Sequence, residues 1–164
     1  SRMDAELSRA ESEEVDLGVL LTTLGELYNA DVDGPPIKVS VPDNLNVPAL
    51  ESRLTQVFRN LISNAITFTP DGGEVRVRAW RDKNWAVITI EDDGPGIPPG
   101  KEEAIFNRFY TERPSSEKFG QHSGLGLSIS KRIVAAHNGE LTAQNRMVDD
   151  VIKGAIFTIR LPLD

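Results

Sequence analysis

The sequence predicts an α/β two-layer sandwich, with three helices over one face of a mixed, mainly antiparallel sheet. Three observations carry the prediction. Some stretches place apolar residues at helical spacing, shorter ones alternate apolar with polar residues, and Gly, Pro and Asn clusters separate them. A length of 164 residues suits one domain able to bury its own core.

Residues 1–13 are highly polar, with Met3 and Leu7 the only large apolar side chains, four apart. They read as the tail of a helix whose partners lie elsewhere. Val15-Asp16-Leu17 reads as a short strand or a turn into the fold. Gly18 to Ala30 follows as an amphipathic helix through Leu20, Leu21, Leu24 and Leu27, broken by Gly34-Pro35-Pro36. Ile37 to Val41 alternates as a strand, and Asn46 to Ala49 is a weaker strand candidate. From Glu51 to Phe68 a strong helix is expected, because at roughly 100° per residue Leu54, Val57, Phe58, Leu61, Ile62, Ala65 and Phe68 share one broad face. Arg53, Gln56, Asn60, Asn64 and Thr67 form a separate polar stripe. Pro70-Asp71-Gly72-Gly73 ends that helix.

Glu74–Trp80 and Trp85–Asp92 read as two strands joined by the turn Arg81-Asp82-Lys83-Asn84. Residues 94–123 are rich in Gly, Pro and Ser with aromatics among them, and a loop of that length inside one domain is functional or disordered. Leu125 to His137 is a helix with Leu125, Ile129, Ile133 and Ala136 on one side, stopped by Asn138-Gly139. Glu140–Asn145 and Ala155–Leu161 are the final strands. No internal repeat is visible.

Composition removes several function classes. With 39% hydrophobic and 26% charged residues the chain has a globular balance. No apolar run approaches the ~20 residues that span a bilayer, and no signal-peptide pattern opens the chain. Cysteine is absent, which rules out disulfides and thiolate metal sites. The net charge of −7 opposes a nucleic-acid surface, though not a nucleotide, whose phosphates backbone dipoles and a metal ion can neutralise.

Asp92 ends a strand in which Ala86, Ile88 and Ile90 share one facing, so alternation turns its carboxylate inward. A buried carboxylate must find donors or change its ionisation. The following Asp93-Gly94-Pro95-Gly96-Ile97-Pro98 offers open backbone, and an acceptor beside it suits a planar ring with an exocyclic amine such as adenine. A strand-end Asp capping a turn explains the same residues more plainly. Asn60 and Asn64 lie on one helical face, where their amides suit a hard cation and phosphate oxygens or simply meet solvent. His122-Ser123-Gly124-Leu125-Gly126-Leu127 opens the last helix, where free N–H groups and the positive dipole end favour phosphate. It is neither a Rossmann fingerprint nor a P-loop, because the glycine spacing differs and no Gly-Lys-Ser/Thr is present.

The order of these signals is distinctive. An Asn-x-x-x-Asn helix, Asp-x-Gly-x-Gly after a strand, Ile105-Phe106-x-x-Phe109, then Gly-x-Gly-Leu before a helix resembles the catalytic ATP-binding domain of bacterial sensor histidine kinases, with its N, G1, F and G2 boxes. The likeness covers residues 15–164. It implies the Bergerat ATP-binding fold, shared with type II topoisomerases, Hsp90-type chaperones and MutL-type repair proteins. A fainter likeness through Arg108-Phe109-Tyr110-Thr111-Glu112-Arg113-Pro114, and from Phe119-Gly120 to Ser128-Ile129-Ser130, is to alphaproteobacterial ChvG/ExoS-type envelope sensor kinases.

The resemblance implies ATP and Mg²⁺ as ligands. Asp92 would accept from the adenine amino group, with Gly94 and Gly96 giving the ring room and Ile97 and Leu125 forming apolar wall. Asn64 would coordinate Mg²⁺, and Asn60 would support the phosphate side and the catalytic step. Thr67 and Phe68 belong to the same binding set, Phe68 beside the adenine. Ser123, Gly124, Gly126 and Leu127 would present the turn whose N–H groups meet the β and γ phosphates. Residues 98–123 would form a mobile ATP lid anchored by Phe106 and Phe109, and Arg108, with Arg113, would meet γ-phosphate charge.

Asn60 stands where the hydrolytic members of the superfamily carry a water-activating Glu, and an amide cannot serve as that base. Phosphoryl transfer rests mostly on positioning and charge neutralisation, so the departure favours kinase over ATPase. Other departures are Thr67 in place of a basic residue, Phe68 in place of Tyr, His122 in place of a lid glycine and Thr111 in place of Arg. His122 and His137 are the only histidines, and neither has a phosphoacceptor context. His137, in the last turn of its helix, is expected to be structural, a partly positive ring suiting the dipole. Trp80 and Trp85 are expected to pack on the sheet surface. Residues 1–14 are read as the end of a dimerisation and phosphoacceptor helix and 15–164 as the catalytic domain. The resemblance thus implies a cytoplasmic domain of a protein in the bacterial inner membrane, reaching the membrane only through segments outside this chain. Its partners would be its own dimerisation domain, in a homodimer, and a response regulator. A Bergerat ATPase and a nucleotide-binding module without catalysis are the competing functions.

Overall fold

The computed structural model describes residues 12–110 and 126–164. In chain order the elements are β1 (Glu13–Asp16), α1 (Leu17–Asn29), β2 (Ile37–Ser40), β3 (Asn46–Ala49), α2 (Glu51–Phe68), β4 (Val75–Asp82), β5 (Trp85–Glu91), a 3-10 turn (Ala104–Phe106), α3 (Gly126–Ala136), β6 (Glu140–Val148) and β7 (Val151–Pro162). They build the expected sandwich. Five strands run in the order β2-β4-β5-β7-β6, with β2 parallel to β4 and every other pair antiparallel. A parallel step needs a crossover, and α2 lies in that connection. The weaker strand candidate is real: β3 pairs antiparallel with β1 in a separate ribbon, Val15 opposite Val47.

Burial explains the layering. β5 is the central strand, and Ala86, Ile88 and Ile90 on its helix-facing side are 1% exposed or less. They join one core with Leu54, Phe58, Leu61 and Ile62 of α2 and with Phe157 and Ile159 of β7. Asp16 caps α1, its Oδ1 accepting from Val19 N–H at 3.1 Å. Asn29 then closes the loop after α1, its amide donating to the Ile37 carbonyl at 2.9 Å and accepting from the Ile37 N–H at 2.8 Å.

Some boundaries differ from the sequence expectation. β1 begins at Glu13, paired with Ala49, so the ribbon reaches into the stretch read as linker. The β4–β5 turn is tighter than Arg81–Asn84, because Asp82 pairs with Trp85 and Lys83 takes φ 57°. The largest change is at the end of the chain, where β6 and β7 form one long hairpin through residues 146–154. Its turn, Asp149-Asp150, has both φ values positive, 50° and 64°, without a glycine to announce it, and a register shift at Arg146/Met147 interrupts the alternation. Trp85 lies on the open face of the sheet beneath the Arg160 guanidinium, 5.2 Å from the ring centroid.

His137 is structural for a different reason from the one expected. Its Nε2 accepts from Leu50 N–H at 3.2 Å, and its Nδ1 faces the Ile133 carbonyl at 2.8 Å. An accepting Nε2 requires the neutral Nδ1–H ring, so the residue staples the start of α2 to the end of α3 by hydrogen bonds rather than by charge.

Candidate active site

A cavity of about 570 Å³, within the range of small-molecule sites, opens between α2, the start of α3 and the strand ends of β5 and β7. Asp92 lies just past β5. Its N–H bonds the Ala155 carbonyl at 3.0 Å, which fixes the residue to β7. Its side chain is 2% exposed, and Oδ1 takes two backbone donors, Gly94 N–H at 2.8 Å and Ala155 N–H at 3.2 Å. Among the described residues no hydrogen bond reaches Oδ2, although Asp92 lines the cavity. Burial pushes this carboxyl above its ordinary value, while the Gly94 and Ala155 N–H groups pull it back.

The adjacent carboxylate has the opposite surroundings. Asp93 faces the other way, where Arg76 donates at 2.8 Å, Arg146 at 2.7 Å and Glu74 N–H at 3.0 Å. The Arg76 hydrogen bond above all holds the Asp93 carboxyl below its ordinary value, and Arg76 is itself raised, chiefly by Asp93. One residue of the pair anchors the loop by charge and the other offers an acceptor to the cavity.

α2 supplies the polar side. Asn60, Asn64, Thr67 and Phe68 all line the cavity. Asn60 also docks the two helices, its Nδ2 donating to the Gly126 carbonyl at 3.3 Å and to Ser130 Oγ at 3.2 Å. Asn64 lines the cavity, and no hydrogen bond of its amide occurs among the described residues. Thr67 turns its hydroxyl back to the Ser63 carbonyl at 3.0 Å, so that position adds no charge.

The loop after Asp92 forms the floor. Gly96 and Ile97 line the cavity. Gly96 has φ 82°, and a Cβ there would overlap Ile152 and lie 2.7 Å from Asn145 Oδ1. Gly94 does not line the cavity; a Cβ there would lie 2.6 Å from the Phe68 carbonyl, so its lack of a side chain lets the loop pass the end of α2.

Gly126 and Leu127 open α3 on the cavity's opposite side. Ser123, Gly124 and Leu125 lie outside the described residues, as do Thr111, Arg113 and His122. At the near end of the expected lid, Phe106 is buried edge-on against Phe157, ring centroids 6.1 Å apart, with Lys131 Nζ 4.7 Å from its ring centre. Phe109 behaves otherwise. It is 63% exposed at φ 63°, does not line the cavity, and packs against the Arg108 guanidinium. Tyr110 and Ile105 line the cavity instead.

Sequence reasoning missed part of the lining. The cavity continues past Ser63 to Tyr28, Asp31 and Pro35 at the end of α1, where Tyr28 Oη meets Ser63 Oγ at 2.9 Å. It also missed Ala155 and Phe157, whose inward facing was legible but whose pairing beside Asp92 was not.

Many known proteins are similar to this chain. Residues 49–164 match the family described as histidine kinase-, DNA gyrase B-, and HSP90-like ATPase. The sensor protein ChvG of Agrobacterium fabrum is 42% identical over 99% of this chain and 29% of its own length. ChvG of Rhizobium meliloti is also 42% identical, over 99% of this chain and 30% of its own. The chain therefore spans about a third of these relatives. Among solved structures, the mycobacterial sensor histidine kinase MprB superposes with a TM-score of 0.78 at 32% identity, covering 92% of this chain and 97% of that one. Full-length ShkA in complex with AMPPNP superposes at 0.76 with 28% identity, covering 98% of this chain and 34% of that one.

Proposed function

Because this chain belongs to the family of histidine kinase-, DNA gyrase B-, and HSP90-like ATPases, we propose that it binds Mg-ATP in the cavity beside α2 and passes the γ-phosphoryl group to a histidine on a separate dimerisation domain. One observation carries this reading: two backbone N–H groups hold Asp92 Oδ1 and leave Oδ2 for whatever fills the cavity. A carboxylate acceptor in a partly apolar site favours a ring that offers an N–H donor, as the 6-amino group of adenine does.

The phosphates then run along the α2 stripe. Asn64 Oδ1 suits a hard cation, Asn60 lies one helical turn before it, and Mg²⁺ held there would supply charge neutralisation for the phosphate oxygens. The start of α3 at Gly126 and Leu127 offers N–H groups and a positive dipole end to the same oxygens. Arg108 sits outside the cavity over the Phe109 ring, and meeting γ-phosphate charge requires that turn to rotate inward. In the full-length protein we place the acceptor on the chain's own dimerisation domain, in a membrane-anchored homodimer that hands the phosphoryl to a response regulator.

A catalytically silent nucleotide-binding module is the second reading. Thr67 favours it, since its hydroxyl bonds its own helix and brings no cation to the phosphates. Incubation with γ-labelled ATP and a supplied acceptor-helix fragment separates the two. Acid-labile label on the fragment is the expected result; nucleotide binding without any transfer assigns the silent module. A chain that binds no nucleotide ends both readings.

A further inference from the structure

Asn145 lies on β6, 48 residues beyond the loop that follows Asp92, yet its amide grips that loop with both of its polar atoms. Oδ1 accepts from Ile97 N–H at 2.6 Å, and Nδ2 donates to the Ile97 carbonyl at 2.8 Å. Leu141, Ala143 and Asn145 share the inward facing of β6, so an amide ends an otherwise apolar row. The loop itself has no ladder partners, and at its other end Gly94 N–H bonds Asp92 Oδ1. Gly96 sits between these two fastenings with its missing Cβ over Asn145 Oδ1. Ile97, 6% exposed, is the apolar wall that Asn145 holds in place.

We propose that Asn145 is a positioning residue for the adenine end of the cavity, its paired hydrogen bonds to Ile97 setting the distance between that wall and the Asp92 carboxylate. The inference rests on the nucleotide reading above. It differs from a general stability role because the same bidentate device occurs at Asn29 on Ile37, at a strand start, and neither of those residues lines the cavity.

The test uses the whole chain and titration calorimetry with two probes, Mg-ATP and magnesium tripolyphosphate, the second lacking the base. Asn145→Leu keeps the branched side-chain shape and removes both hydrogen bonds; it should weaken ATP roughly tenfold or more and leave tripolyphosphate unchanged. Asn29→Leu should lower the melting temperature without changing the ratio of the two affinities. Asn145→Asp supplies the signature that a packing role lacks. Ionised, it sets a carboxylate against the Ile97 carbonyl and binds ATP weakly; protonated, it restores a donor and an acceptor in the asparagine shape. Its ATP affinity, taken as a ratio to the parent at each pH so that Asp92 cancels, should climb as pH falls, while the Asn145→Leu ratio stays flat. Parent-like ATP binding by Asn145→Leu, equal loss of both probes, or a flat Asn145→Asp ratio overturns the proposal and leaves the nucleotide reading standing. A parent chain that binds no ATP overturns that reading and this one together.

Discussion

Gly154 on β7 passes so close to Asp92 that a Cβ at position 154 would overlap the Asp92 carbonyl oxygen. The contact seats the carboxylate, because the adjacent residue, Ala155, both accepts from Asp92 N–H and donates to Asp92 Oδ1. Gly154→Ala should therefore push β7 from the β5 end. Overpacking of this kind costs about 1–3 kcal/mol, which for a chain of this length lowers the melting temperature by roughly 3–10 °C. Calorimetric melts should show that loss together with weakened ATP binding, and a parent-like melt with parent-like affinity would contradict the arrangement.

Asp92→Asn should separate affinity from stability. The amide oxygen can still accept from Gly94 and Ala155, but its nitrogen then meets the adenine amine donor to donor, and ATP affinity should fall roughly 100-fold. Asn64→Ala should cost less, about tenfold. Equal affinity in both variants and the parent, read by titration calorimetry, would refute the site.

The same substitution carries a pH sign. Folding raises the Asp92 carboxyl above 3.8, so the folded chain keeps that proton longer than the unfolded chain. Stability from this group is thus present at low pH and declines as pH rises through the folded value. Thermal melts across pH 4–8 should show Asp92→Asn gaining on the parent as pH increases.

Asp93 has the opposite sign. Arg76 holds its carboxyl below 3.8, so its contribution is full above that value and is lost as pH falls through the lower folded value. Asp93→Asn should destabilise by about 1–3 kcal/mol at neutral pH, given the partly buried pairs with Arg76 and Arg146. The deficit should shrink in melts taken progressively below pH 4.

Hydrolysis by the chain alone should not exceed the rate without protein. Asn60 has no basicity, and its amide nitrogen is committed to Gly126 and Ser130, so nothing at that position activates water. Steady phosphate release in a coupled assay would move the assignment to the ATPase class.

Local pattern determined much of this protein. The 3.6-residue spacing from Leu54 to Ala65 places Asn60, Asn64 and Thr67 on one stripe of α2 whatever else the chain does, and alternation along β5 turns Asp92 inward. Those periodicities are properties of neighbouring residues, so the helix, the strand and the facing of each side chain were legible before any contact was known. What surrounds Asp92 was decided elsewhere. Gly154 and Asn145 come from a hairpin whose Asp149-Asp150 turn and register shift disguise it in the sequence, and their roles exist only once β7 pairs with β5. The exposed place of Phe109 and the stapling of α2 by neutral His137 are likewise matters of packing. Sequence spacing reports which way a residue faces along its own element; which residue it meets across the sheet is set by register and burial, and that required the folded chain.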